Sequence, residues 1–384
     1  MLPLSKKINI KTNNLKQINL LDFLKDENLM IRGIGEILLN LNNDERNKIL
    51  TELKISKKQF MNYKIRDSYP INFVLELNEN MKKKIYLKGK IFAKRDSVGV
   101  PIVVNLDKNL LEVIGLYIAE GYSRSVEGKK GLNQVYVSSE DKVLRKFIRK
   151  TIFNYFGLKP SERKEDRVTF SSKLLYLFFT KILECGSKAK DKRVPYLFLD
   201  FPLEKLACVL RGYFEGDGSV SLKDRRVTCD SISEGLLSDL EFCLSRFGIF
   251  AKRYDYEKEP GPKIREFYIK KKRKIPKFKI TKIIIGSDFV DSFKKISFLS
   301  DRKIKILQSH KRDNFYGMKI NQDKNFVYDP IVSIEKIGEK DSYCLNVETK
   351  NHLVVGNSII SAQCDGDEAA IMLLGDVLIN FSRK

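Results

Sequence analysis

The chain has 384 residues, room for two or three domains, and 42% of them are hydrophobic, enough for ordinary globular cores. Its 72 Lys and Arg against 49 Asp and Glu leave a formal net charge of +23. That excess repels itself until an anionic partner neutralises it, and nucleic acid is the commonest one; a solvated lysine-rich surface is the alternative. No stretch of about 18 apolar residues is present to span a membrane, and the start, Met1-Leu2-Pro3-Leu4-Ser5-Lys6-Lys7, lacks the apolar core of a signal peptide. The six cysteines are scattered without a Cys-x-x-Cys pair, which argues against zinc and against a disulfide framework. With histidine only at His310 and His352, a His-rich metal site and a His-based hydrolase are disfavoured. A monomer in the reducing cytoplasm, with no membrane partner, is expected.

Residues 1–100 read as a helical region. Apolar positions recur at helical spacing through Ile18, Leu21 and Leu24, then Ile34, Ile37, Leu38 and Leu41. Asn43-Asp44-Glu45 reads as a helix start with Asp44 as its cap. Ile49–Leu77 reads helix, turn, helix, with a second start at Ile55-Ser56-Lys57-Lys58-Gln59. That is either a helix-turn-helix reader of a DNA groove or a plain helical hairpin.

An internal repeat follows, over 101–200 and 201–327. Unit one opens with the apolar helix Leu110–Gly121 and unit two with Leu206–Gly218; both close on an acid followed by Gly. Each continues with a β-like patch (Gln134–Ser139; Arg226–Ser231). An amphipathic helix then ends in Phe156-Gly157-Leu158 or Phe247-Gly248-Ile249, where Gly suits a left-handed terminus. A strand (Arg167–Ser171; Phe278–Ile285) and a further helix (Leu174–Leu183; Phe289–Ile296) complete each unit. The expected fold is α/β, in the α+β sense, built from pseudo-two-fold tandem αββαββα repeats, a symmetry that suits duplex DNA. In the second unit Tyr254–Lys279 reads as a basic insertion. It contains Lys270, Lys271, Lys272, Arg273 and Lys274, which either contact phosphates or form a solvated loop.

Glu120 and Asp217 carry the chemistry. A helix C-terminus bears partial negative charge, so an acid there is misplaced by a few tenths to about 1 kcal/mol. The same misplacement at equivalent points of a repeat implies that something cationic offsets it. Gly115 and Gly212 inside the helices each cost roughly 1 kcal/mol relative to Ala, tolerable where two helices touch along their backbones. Helices packed through these glycines bring Glu120 and Asp217 together, and two carboxylates beside DNA phosphates suit a hard divalent cation such as Mg²⁺. Metal-assisted phosphodiester hydrolysis follows, with two half-sites for two strands.

The two helices resemble the paired signature helices of LAGLIDADG (dodecapeptide) homing endonucleases, with the nine positions on Val113–Gly121 and Leu210–Gly218. Glu215-Gly216-Asp217-Gly218 stands for Asp-Ala-Asp-Gly. The resemblance covers roughly residues 100–300 and implies that Glu120 and Asp217 are metal ligands of a double-strand DNA endonuclease. Lys188-Ala189-Lys190-Asp191-Lys192-Arg193-Val194-Pro195 resembles the Lys-Arg-Ile-Pro element of intein endonucleases. It makes Lys192 a candidate catalytic lysine, with a phosphate-contacting surface lysine as the alternative. A second lysine is expected from the second repeat, within Lys270–Lys282.

From residue 328 the texture changes to short β-like runs at Ile331–Ile337, Tyr343–Glu348 and His352–Gly356. Residues 328–363 resemble the C-terminal β-rich splicing (Hint) segment of inteins. Gln363 is then the residue whose side-chain amide attacks its own carbonyl, and Cys364 the nucleophile just after the bond. Ala362 stands where most inteins have His, so Asn351 or His352 would polarise the bond. No N-terminal splicing half is recognised, so a fragment or split gene is expected, with that half supplied in trans. The tail 364–384, with Cys364-Asp365-Gly366-Asp367-Glu368 before a helix at Glu368–Phe381, resembles the aspartate loop of archaeal family D DNA polymerase large subunits. That resemblance makes Asp365 and Asp367 magnesium ligands of the host enzyme. The alternative to an active endonuclease is a catalytically inactive DNA-binding or splicing-only fragment.

Overall fold

The computed structural model describes residues 12–309 except 95, 127–131, 162–165 and 222, and beyond them only 2–3, 321–322, 326–328, 333–336, 338–339, 353–356 and 359–362. Two helices form its axis. Lys108–Glu120 starts where Asp107 accepts hydrogen bonds from the backbone N–H of Asn109 (3.0 Å) and Leu110 (3.3 Å). Leu203–Gly216 starts after Pro202. The first is apolar nearly all round and is enclosed, with Leu110–Ile118 buried without a break, and the second buries Leu206–Leu210 and Gly212–Glu215.

The helices meet through their glycines, as the repeat implies. A Cβ on Gly115 would stand 2.0 Å from the Val209 carbonyl oxygen, and one on Gly212 would stand 2.0 Å from that of Glu112. No other residue fits at either point. Beside this contact Arg211 reaches across to the buried Glu112 carboxylate at 2.7 Å and donates from Nε to the Ile296 carbonyl at 2.8 Å. The ion pair fixes the register of the two helices, and the bond to Ile296 ties them to the segment after the helix Val290–Phe293.

The second unit completes the αββαββα order. After Leu203–Gly216 come strands Gly218–Val220 and Val227–Ser231, helix Glu234–Arg246, strands Lys252–Lys258 and Phe278–Ile285, and helix Val290–Phe293. The strands form one antiparallel sheet with Phe278–Ile285 between Val227–Ser231 and Lys252–Lys258. The first unit matches it with Gly121–Val126, Leu132–Ser138, Lys142–Phe156 and Arg167–Ser171, and its last helix, Lys173–Leu177, widens into Phe178–Ile182. Its remaining strand is reduced to one bridge, Ser161 to Thr169. The expected left-handed glycines are present at Gly157 (φ 67) and Gly248 (φ 69). At the latter, Ile249 N–H bonds the Leu244 carbonyl at 3.1 Å and Gly248 N–H that of Ser245 at 2.8 Å, the two bonds of a Schellman ending.

Three readings need correction. The segment taken as a basic insertion supplies the edge strand Lys252–Lys258 and the helix Pro262–Lys270. That strand is exposed on both faces, so no apolar alternation marks it in the sequence. The N-terminal region is mixed. Leu29–Arg32 pairs with Ser68–Pro70 and Lys90–Ala93 in a four-stranded antiparallel sheet, and Gln17–Asn19 pairs with Val103–Asn105. Ile18, Leu20, Leu21 and Leu24 are buried, but on a strand and a 3₁₀ turn whose period of three imitates a helix. The helix Asn43–Glu52 is capped by Asn42, whose Oδ1 accepts from Glu45 N–H at 2.7 Å, and Asp44 sits in its first turn. The expected start at Ser56 is present as a full capping box with Gln59.

A strand at Leu353–Gly356 pairs with Ile359–Ala362. Residues 333–336 carry no strand, against the β-like reading of Ile331–Ile337. Asn351, His352, Gln363, Cys364, Asp365, Asp367, His310, Tyr343–Glu348 and the helix expected at Glu368–Phe381 lie outside the described residues.

The glycine contact predicts its own test. Gly212→Ala must separate the helices or bend one, and is expected to destabilise the fold by about 3 kcal/mol or more. Gly261→Ala, where nothing lies within 4 Å of the new Cβ, is expected to leave stability unchanged. Urea denaturation of the two variants measures the difference.

Candidate active site at the ends of the paired helices

Each helix of the pair ends on an acid. Glu120 is the last residue of the first and Asp217 closes the second. A Cβ on Gly216 would lie 2.6 Å from Ala119 Cβ and 3.0 Å from Glu120 Cγ, so the helix ends touch where the acids sit. Asp217 is pushed up to about 8, first by burial and then by the negative charges of Glu120 and Asp230, with Lys192 and Lys303 pulling the other way. Glu120 reaches solvent, yet its pKa is also raised: the protein crowding the helix end withholds water from the carboxyl, and Lys303 opposes the shift. The cleft beside it is lined by Ser138, Ser139, Gly216, Ser300, Arg302 and Lys303.

Other buried acids nearby are satisfied. Glu112 pairs with Arg211, Asp239 with Arg193, and Glu215 accepts the backbone N–H of Leu299 (2.8 Å) and Ser300 (2.9 Å). Among the described residues Glu120 and Asp217 have neither a side-chain hydrogen bond nor an ion pair. Two hard oxygen donors without a hydrogen-bonded or ion-paired partner in a partly dry place fit a hard divalent cation. Among the described residues no group of three or more His, Cys, Asp or Glu gathers into a metal-ligand cluster.

The cations that offset the misplaced acids are Lys192 and Lys303. Lys192 is 2% exposed, which removes the surface-lysine reading. Its Nζ donates to the Tyr117 carbonyl at 2.8 Å, on the last turn of the first helix, and lies 3.7 Å from the Tyr117 ring centre. Burial depresses its pKa to about 8, while Cys185 and Asp217 hold it up. The Lys-Arg-Val-Pro element is seated by a bidentate pair, Arg193 Nε and Nη2 to Asp239 at 2.7 and 2.8 Å, and by Ser233 Oγ donating to the Lys192 carbonyl at 2.8 Å.

Lys303, on the helix Asp301–Ser309, does the same for the second helix: Nζ donates to the carbonyls of Gly218 at 2.7 Å and Phe214 at 3.4 Å. Burial lowers its pKa against the pull of Glu215. Lys303, the lysine at the end of the second helix, lies outside the stretch Lys270–Lys282 in which a second lysine was expected. The signal was positional. Each lysine falls ten residues beyond the last helix of its repeat (Ile182 to Lys192, Phe293 to Lys303), after Asp191 in one and Asp301-Arg302 in the other. Lys270, Lys271, Lys272, Arg273 and Lys274 are exposed, and none of them is a charge that perturbs Asp217.

The raised pKa of Asp217 is a statement about stability. Its folded value, about 8, lies above the ordinary 3.8, so its contribution is complete below about pH 4 and is lost as pH rises through 8. Metal-free Asp217→Asn is therefore expected to be more stable than the parent by on the order of 1–2 kcal/mol at pH 8, the gap closing toward pH 4. Urea titrations across that range in the presence of a chelator measure it.

Residues 204–296 match a family described as the LAGLIDADG-like domain. The chain is similar to the DNA polymerase II large subunit of Thermococcus kodakarensis, 32% identical over 388 residues, which is 96% of this chain and 20% of that protein. It is also similar to an uncharacterised protein of Methanocaldococcus jannaschii, 25% identical, covering 76% of this chain and 31% of that one. The chain thus spans a third or less of the curated relatives it matches here. Among solved structures it is similar to I-DmoI in complex with DNA and Mn, with 15% identity, 54% of this chain and 100% of that chain covered, and a TM-score of 0.35. No helix among the described residues is long and apolar enough to cross a membrane. The second unit thus carries a match to the LAGLIDADG-like domain, and the glycine-packed helices give the first unit the same plan.

Proposed function

We propose that the chain is a metal-dependent, site-specific double-strand DNA endonuclease, and that Glu120 and Asp217 are the ligands of its cation. The observation that carries the reading is the meeting of two unpaired carboxylates at the helix ends, each end neutralised by a buried lysine. A divalent cation such as Mg²⁺, held by both carboxylates, would supply Lewis acidity toward phosphodiester oxygens. Lys192, with a pKa near 8, can hold a proton at Nζ or release it close to neutral pH. It can therefore orient a water, or offset charge developing on the phosphate. Lys303 stands in the equivalent place at the other helix end. Two equivalent half-sites suit two strands. The net charge of +23 supplies the attraction to the duplex.

The similarity to a DNA polymerase large subunit over 96% of the chain supports a host of that kind. We read the surroundings of Gln363 and Cys364 as an intein C-terminal splicing segment, with Asn351 or His352 assisting, and Asp365 and Asp367 as host-polymerase ligands. This part rests on the sequence. Incubating the purified chain and weighing it tests it: release of residues 364–384 is expected, and an unchanged mass after long incubation overturns it.

The nuclease reading has a direct assay. A plasmid carrying the joined host-gene coding sequence is expected to be cut in Mg²⁺ and left intact in a chelator. Glu120→Gln with Asp217→Asn should bind it without nicking. Lys303→Ala should cut about 100-fold more slowly or worse while binding within a few fold. A parent chain that binds this DNA and never cuts it, at any divalent concentration, is a non-cleaving DNA-binding scaffold instead.

A further inference from the structure

We propose that the exposed helix Lys57–Ile65 and the cationic cleft on its flank form a second duplex-DNA surface, separate from the paired-helix site, that grips DNA outside the segment being cut. The inference rests on the DNA-binding reading above.

The local geometry is that of a groove-reading pair. Asn43–Glu52 and Lys57–Ile65 are joined by a tight turn in which Lys54 takes the left-handed conformation (φ 54) that glycine usually supplies. The second helix is fixed to the domain from one side only. Phe60 packs on Phe73 and Tyr69 with ring centres 5.6 and 6.3 Å apart, and Tyr63 packs on Tyr69 at 6.4 Å. No residue of this helix is fully buried. Its outer face carries Lys57, Lys58, Met61, Asn62, Lys64 and Ile65, with Met61 52% and Ile65 76% exposed. Apolar side chains between cations and an amide match a major-groove floor, where thymine methyls and base edges alternate.

The charge points the same way. No acid occurs from Lys57 to Arg66. The nearest one, Asp67, is occupied by the backbone N–H groups of Gly33 (2.9 Å), Ile34 (3.2 Å) and Gly35 (2.8 Å). The cleft between this helix and the N-terminal sheet is lined by Arg32, Gln59, Asn62, Arg66 and Lys94 and by no carboxylate. Arg32 is held in place over the Phe92 ring at 4.3 Å. Three cations and two amides along one flank make a seat for a phosphate backbone. A helix of nine residues, about 14 Å long, beside that seat fits a major groove about 12 Å wide.

The test uses the full chain carrying Glu120→Gln and Asp217→Asn, so that the DNA stays intact. The probes are a duplex of about 60 base pairs centred on the joined host-gene sequence, and its central part of about 24 base pairs, roughly two helical turns. Adding Asn62→Ala, Arg66→Ala and Lys94→Ala is expected to weaken binding to the long duplex about tenfold. It should also flatten the salt dependence by about two units, roughly 0.9 per lost phosphate contact. Binding to the short duplex should not change, and an unaltered thermal melt excludes misfolding. Equal losses on both duplexes, or no loss on either, overturn the proposal. If the parent chain cuts nothing but the length-dependent loss is seen, this surface stands and the nuclease reading falls.

Discussion

One contact constrains everything else: the backbone-to-backbone meeting of the two glycine helices. Gly115 and Gly212 each occupy a point where a methyl group would stand 2.0 Å from a carbonyl oxygen of the opposite helix. Nothing larger permits this approach, and nothing looser would bring Ala119, Glu120, Gly216 and Asp217 into one small volume. The Glu112–Arg211 ion pair beside the glycines removes sliding as a degree of freedom. Breaking a buried pair by removing one partner costs about 3–5 kcal/mol, so the register is firmly held.

From that contact comes an electrostatic problem. Two helix C-termini, each with partial negative charge, converge with a carboxylate on each. The fold answers with two buried lysines that donate to helix-end carbonyls, Lys192 to Tyr117 and Lys303 to Gly218 and Phe214. The answer is partial. Burial first, and then the charges of Glu120 and Asp230, keep the pKa of Asp217 high against the pull of Lys192 and Lys303. The residual negative charge is what a divalent cation would meet, and the same lysines that support the helices would then face the phosphate.

The two units are alike in plan and unequal in detail. The second has a four-stranded sheet whose edge strand, Lys252–Lys258, stands open to solvent with Tyr254 and Tyr256 stacked 6.2 Å apart. The first has three strands and a single bridge in place of the fourth. A continuous apolar core joins both to the N-terminal sheet, and Glu27 ties that sheet's neighbourhood to Lys173 (2.8 Å) and Lys181 (3.1 Å) of the first unit. Repeat, helix pair and N-terminal unit are therefore packed around one apolar core.

The sequence by itself determined whatever depends on local order. The doubled apolar helix with its glycine and terminal acid, the left-handed Gly157 and Gly248, and the start at Ser56 all follow from side chains acting on their own neighbourhood, and a repeat makes such signals count twice. Tertiary structure alone decided the rest. Lys303 is separated from Asp217 by most of a repeat, and only the fold carries it to the helix end. Lys192 looks like a surface residue among charges until the fold sets its Nζ against the carbonyl and ring of Tyr117. The strand Lys252–Lys258 has no buried face, so its pairing is set by Phe278–Ile285 and leaves no apolar period to read. Ile18 to Leu24 has a period that a helix and a chain of short turns satisfy equally, and the choice fell to the sheet against which those residues pack.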